Sequence, residues 1–233
     1  MQRFIGSVIL AGLLATLNGQ AQTPMPGTVR ISGRINILEK NNKPSPDLGD
    51  AVLYLEGAVA AAAAAQPVTI EIAITDKTYA PEVVVVPVGS TVRFPNHDPF
   101  NHNVFSASEP NSFDLGLYGR GAARSQTFAH PGLVRVFCNI HPRMVAYVQV
   151  MANRYFTQPG TDGSFTIDNV PPGNYRLHVW HERIPAEVVQ EITAGHGTDA
   201  SLEIALDARG YRWEPHRNKY GKSYPTNAGR ERY

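Results

Sequence analysis

The chain has 233 residues, 42% of them hydrophobic, with 21 Lys and Arg against 20 Asp and Glu for a formal net charge of +1. So even a balance argues against nucleic acid as the main partner, and the length allows one large or two small domains. A single cysteine excludes an intramolecular disulfide, so in an oxidising compartment its thiol is expected to be buried, liganded or paired between chains.

The first element in chain order is a leader. Arg3, the apolar run FIGSVILAGLLATL and the small-residue stretch NGQAQ predict a secretory signal peptide over residues 1–21, cleaved after Ala21. The apolar run is short for a membrane span, and no later segment is predicted to cross one. The mature protein is expected in the periplasm or secreted.

Beyond the leader the chain reads as all-β. Short β-branched and aromatic runs follow one another: TVRISGRINIL, AVLYLEG, VTIEIAI, EVVVVPV, TVRFPN, HNVFS, RSQTFA, LVRVFC, VAYVQVM, GSFTID, NYRLHVW, AEVVQEI and SLEIAL. Turn signals such as PVGS, HPG, TDGS and PPGN separate many of them, and this spacing favours sandwiches or barrels. The alanine run GAVAAAAAAQP, residues 57–67, has no polar face and is expected to be a linker. Residues 207–233 are polar, basic and Tyr-rich. They cannot build a core, so they are expected to form a solvated tail or an arm laid over the surface, with a basic excess suited to an acidic partner.

The chemistry concentrates in VFCNIHPRM. Cys138, His141 and Met144 follow one another at intervals of three at the end of a predicted strand. A nucleophilic cysteine needs a base and an orienting group, and that would leave Met144 without a role. Zinc takes four firm ligands, and a thioether is a poor one. A thiolate, two imidazoles and a weak axial thioether suit a copper ion used for electron transfer. The second imidazole must come from elsewhere in the chain, and TVRFPNHDPFNHNVFS offers His97 and His102. His102 opens a predicted strand, and an amide at Asn103 could hydrogen-bond the sulfur. His97, in a turn, is a candidate for an outer hydrogen bond or a competing ligand.

These residues carry a resemblance. Residues 68–151, through YAPEVVVVPVGSTVRFPNHD, HNVFS, FAHPGLVRVFC and CNIHPRM, resemble a cupredoxin of the plastocyanin and amicyanin group, with the short Cys-x-x-His-x-x-Met loop of amicyanin. The resemblance implies a Greek-key β-sandwich holding one type 1 (blue) copper on His102, Cys138, His141 and Met144, with Asn103 outside the ligands and His97 as a further candidate there. It implies a single-electron carrier rather than an enzyme. A c-type cytochrome and a periplasmic dehydrogenase, such as an amine dehydrogenase, would be its redox partners. Pro99, Phe100 and Ile140 would form the docking patch.

A second resemblance lies in DGSFTIDNVPPGNYRLHV. It is similar to the carboxypeptidase regulatory-like family, a small transthyretin-like β-sandwich, and RISGRINILEKNNKPSPDLGDAVLYLEG fits the opening strands of that family. Residues 28–58 and 152–206 would then form one discontinuous sandwich interrupted by the copper domain. The alternative is a tandem in which the N-terminal strands join the copper domain. Two other functions stay open: a metal-free structural or interaction protein, and a periplasmic copper storage or delivery protein.

Overall fold

A computed structural model describes residues 27–40, 43–195 and 200–224. The predicted leader lies outside these residues. The described chain is all-β, as expected, and is built from two β-sandwiches, each with its own core.

The first sandwich begins with β3 (Thr69–Glu71), β4 (Ala73–Thr75), β5 (Thr78–Ala80) and β6 (Val83–Pro87). It continues through β7 (Thr91–Pro95), β8 (His102–Ser106), β9 (Phe113–Tyr118), β10 (Ala123–Thr127), β11 (Gly132–Cys138) and β12 (Val145–Met151). One sheet has the order β6-β12-β11-β8-β9, the facing sheet the order β10-β7-β3, and β4 and β5 make a separate hairpin. From β6 onward the chain passes repeatedly between the two sheets. Period-two alternation explains the result. Val92 and Phe94, and Val134, Val136 and Cys138, all point inward and are buried, while Arg93 and Arg135 between them face out. The core also holds Ile72, Ile74, Phe128, Val148 and Met144.

The second sandwich takes strands from both sides of the first. They are β1 (Val29–Leu38) and β2 (Val52–Glu56), then β13 (Phe156–Thr157), β14 (Ser164–Val170), β15 (Gly173–Trp180), β16 (Val188–Ala194) and β17 (Ala200–Asp207). Their sheets have the orders β14-β1-β17 and β13-β2-β15-β16. β1 pairs antiparallel with β14 and parallel with β17. Ile31, Ile35, Leu53, Leu55, Phe165, Ile167, Leu177 and Leu206 fill its interior. The predicted TDGS turn forms at Gly163, whose φ of +81° suits glycine.

Two local features differ from expectation, and a third decides between two expected alternatives. The alanine run is more than a linker: Ala58–Ala61 form one helical turn, α1, and Ala60 is fully buried in the second core. A methyl group is small enough to pack there without a polar face. β9 is absent from the predicted strands, because Asp114 and Gly116 interrupt its alternation. Gly116 has φ +67°, and the register with β8 shifts between Asn103 and Phe105, the signature of a bulge. The C-terminal segment, as far as it is described, is an arm rather than a solvated tail: it leaves β17 and lies along the first sandwich.

The sandwiches meet through a small third cluster. Val52, Val83, Met151 and Trp180 are buried together, with Tyr54, Val85, Leu133 and Tyr147 around them. The Trp180 and Tyr147 rings lie 5.3 Å apart, centroid to centroid.

Candidate metal centre

The centre is built where two neighbouring strands end. β8 begins at His102, β11 ends at Cys138, and the two pair antiparallel with Cys138 opposite Val104. The chain then turns through 139–144 before β12. That turn is held by its own backbone. Cys138 N donates to Met144 O at 3.3 Å, Met144 N to His141 O at 3.2 Å, and Asn139 N to Asn103 O at 2.9 Å. His141 and Met144 are thereby folded back towards the sulfur.

Three donor atoms converge. Cys138 Sγ lies 3.7 Å from His102 Nδ1 and 3.6 Å from His141 Nδ1, and the two Nδ1 atoms are 3.2 Å apart. Nitrogen and sulfur ligands bound to one ion at about 2.0 and 2.3 Å stand roughly 3.3–3.8 Å from one another, so the triangle fits a single metal ion. Met144, 1% exposed, packs in the same core as Cys138. His102 and Cys138 are fully buried, and His141, at 8%, is the most solvent-accessible of the four. Among the described residues this is the one group of three or more His, Cys, Asp or Glu side chains close enough to hold a metal.

The orientation of His102 has a cause that the motif did not reveal. Its Nε2 lies 2.8 Å from Asp98 Oδ2. With Nε2–H donating to the carboxylate, Nδ1 is left as a lone-pair donor aimed at the cluster. Asp98 is itself fixed. Its oxygens accept from the backbone N–H of Asp76 at 2.7 Å and of Lys77 at 3.0 Å, in the β4–β5 turn, and its own N–H donates to Asn96 Oδ1 at 2.9 Å. Burial pushes the Asp98 carboxyl up, but the Lys77 amide, His102 and the Asp76 amide outweigh it and hold the group below the usual carboxylate range. Burial holds the His102 imidazole below its ordinary value, against the opposing pull of Asp98. Burial wins, so the ring is kept neutral and able to bind a metal.

The sulfur is similarly supported. Burial pushes the Cys138 thiol up, while backbone N–H groups of Asn103, Ile140 and His141 oppose the shift by favouring thiolate. It is the main-chain amide of Asn103 that serves here. Its side chain is engaged elsewhere, with Nδ2 donating to Asp114 Oδ1 at 2.6 Å. His97 does not take the outer role considered for it. It is exposed, its main-chain N–H donates to Ile74 O, and the carboxylate of its neighbour Asp98 fills that place. The signal for Asp98 was present as an acid four residues before His102 in a turn, but its aim depends on the distant hairpin. Phe100 of the expected patch packs against both rings, 5.4 Å from His102 and 5.8 Å from His141.

Several solved structures are similar to part of the chain. A copper-containing nitrite reductase from Thermus scotoductus SA-01 is 30% identical over 37% of this chain, with a TM-score of 0.34, and only 22% of its own length is covered. A purple cupredoxin from Nitrosopumilus maritimus is 26% identical, with 35% of this chain and 98% of that one covered and a TM-score of 0.32. An amicyanin variant is 28% identical, with 40% and 90% covered and a TM-score of 0.34. A family model described as polysaccharide lyase family 4, domain II, matches residues 139–202. That match runs from the ligand loop into the second sandwich, where the sequence motifs pointed instead to the carboxypeptidase regulatory-like family. No curated protein matches the chain.

The C-terminal arm reaches this centre too. Tyr224 Oη donates to the carbonyl of Cys138 at 2.6 Å. The His216 ring stacks on Phe137 at 4.3 Å, and Lys219 N donates to Asn139 Oδ1 at 3.0 Å.

Proposed function

We propose that the chain is an exported type 1 copper protein that carries single electrons, with His102, Cys138, His141 and Met144 as ligands. The observation that carries this reading is the buried triangle of one sulfur and two Nδ1 atoms with edges of 3.2–3.7 Å. A copper ion bound there would take up and release one electron. Thiolate, two imidazoles and an adjacent thioether form the donor set that suits copper in this role.

The protein's own groups do the rest. Asp98 keeps the proton on Nε2 of His102 and the ring in place. The backbone amides facing Cys138 stabilise thiolate character. The hydrogen-bonded turn 139–144 and the two paired strands keep the donors near their working separations, so little of the protein must move when the charge changes. Phe100 and the burial of all four side chains exclude water. His141, least buried, lies nearest the surface at which an electron would cross.

The same proposal includes one metal centre, no substrate chemistry, and an organisation in which residues 68–151 form the copper domain inserted between residues 28–58 and 152–206. Supporting the insertion are the pairing of β1 with β14 and β17 and the separate core of each sandwich. The predicted leader supports export, and a c-type cytochrome or a periplasmic dehydrogenase is the proposed kind of partner. The carboxypeptidase regulatory-like assignment of the outer sandwich rests on its DGSFTIDNVPPGNYRLHV motif.

The test is spectroscopic. Purified protein given Cu(II) is expected to bind one ion per chain, with intense thiolate-to-copper absorption and a compressed hyperfine splitting in electron spin resonance, and Cys138→Ser is expected to lose both. Protein that stays colourless with Cu(II) would overturn the reading in favour of a structural role. Rapid handover of Cu(I) to an acceptor protein would favour delivery.

A further inference from the structure

We propose that the C-terminal strap, residues 209–224, is a wall of the metal centre, and that Tyr224 is a positioning residue for Cys138. The functional meaning of this inference rests on the copper reading above, whereas its geometry does not.

β11 ends at Cys138, and only Phe137 and Cys138 of that strand pair with β8. The residue bearing the sulfur is therefore also the residue at which the ladder gives out. The Tyr224 hydroxyl, 2.6 Å from the Cys138 carbonyl oxygen, meets that strand end. Fixing the carbonyl fixes the peptide plane that follows Cys138 and so restrains the Cα from which Cβ and Sγ leave the backbone. A second attachment lies one residue on, from Lys219 N to Asn139 Oδ1. A third reaches the other ligand strand. Lys219 Nζ lies 2.6 Å from Asp114 Oδ2, and the other oxygen of Asp114 accepts from Asn103 Nδ2, next to His102.

The strap is shaped for these contacts. Asn218 Oδ1 accepts from the N–H of both Tyr220 and Lys222, Gly221 N donates to Asn218 O, and Gly221 has φ +73°. This tight turn carries Lys219 and Tyr224 to the same region of the first sandwich. Before it, His216 lies flat on Phe137, with the Tyr224 ring edge-on at 5.3 Å. Trp213 stands 5.1 Å from the Arg143 guanidinium, between the ligands His141 and Met144 in sequence. A solvated basic tail would leave these groups in water. Here aromatic rings and hydrogen bonds hold the tail to the ligand loop. Because the strap continues directly from β17, the second sandwich anchors one side of a site whose ligands all belong to the first.

The experiment uses the full chain with Tyr224→Phe, which removes only the hydroxyl, and separately Lys219→Ala, which removes the ammonium that meets Asp114 and keeps the main-chain bond to Asn139. In the metal-free protein, amide hydrogen exchange at Cys138, Asn139 and Met144 is expected to quicken by about two- to tenfold, the effect of losing one typical hydrogen bond. Amides of β12 are expected to stay unchanged. In the loaded protein, transfer of Cu(I) to an excess of chelator should quicken by about the same factor, and the thiolate-to-copper band should shift. Unaltered exchange and release in both variants would overturn the strap proposal and leave the copper reading standing. Exchange that quickens equally in β12 would also overturn it, by assigning the hydroxyl to general stability. A wild-type protein without the thiolate-to-copper band overturns both readings together.

Discussion

Asp98 illustrates how much of the centre depends on groups that bind nothing themselves. Its carboxylate accepts from two main-chain amides and faces Nε2 of His102. Replacement by Asn keeps the shape but puts an NH2 group where one oxygen now accepts a proton. Asp98→Asn is therefore expected to weaken copper binding by about 10- to 100-fold, measured by competition with a chelator of known affinity. An unchanged affinity would mean that the β4–β5 turn alone positions the ring. The candidate ligands Cys138, His141 and Met144 were legible in the sequence because their spacing along one short loop brings them close whatever surrounds them, while His102 was legible through the resemblance of HNVFS to the cupredoxin pattern. Asp98 was not, since its aim is fixed by Asp76 and Lys77, some twenty residues away.

At the scale of strands, alternation was readable wherever one face is buried and the other is wet, as in VRISGRINIL or GLVRVFC. It failed at β9, an edge strand whose bulge breaks the period. Gly33 in the middle of β1 shows a different constraint, invisible in a propensity pattern. A Cβ added there would collide with the main-chain carbonyl of Leu202 on the parallel neighbour β17. Gly33→Ala is expected to push β1 and β17 apart and cost about 1–3 kcal/mol, a fall in Tm of roughly 2–4 °C per kcal/mol. The thiolate-to-copper band should survive, because the ligands sit on other sheets. Thermal melting followed alongside the visible spectrum checks both statements, and loss of colour at room temperature in this variant would contradict the separation.

At the scale of the whole molecule, the seam between the sandwiches carries a titratable pair. Burial, and next the neighbouring Glu182 carboxylate to which it is hydrogen-bonded, push the Glu82 carboxyl up to about 8. Glu182 also interacts with Tyr147, in the seam cluster. A carboxyl whose folded value is raised favours the native state while it stays protonated. Its contribution is complete below the unfolded value near 4.5 and is lost as pH rises to about 8. Tm is therefore expected to decline between those limits, and Glu82→Gln to flatten the decline by keeping the site neutral. Calorimetry from pH 5 to 9 on both proteins is the check, and parallel pH profiles would exclude Glu82 as the cause.

The sequence by itself determined the all-β character, the Cys138, His141 and Met144 loop and the Asp-Gly turn, because each depends on residues near one another in the chain or on the two-residue period of a strand. Only the tertiary structure decided that β1 pairs with β17, that α1 fills part of a core, that Asp98 rather than His97 faces His102, and that Tyr224 reaches the carbonyl of Cys138. Each of these joins segments far apart in sequence. Such pairings depend on which surfaces the whole chain can bury together, and no local pattern encodes that choice.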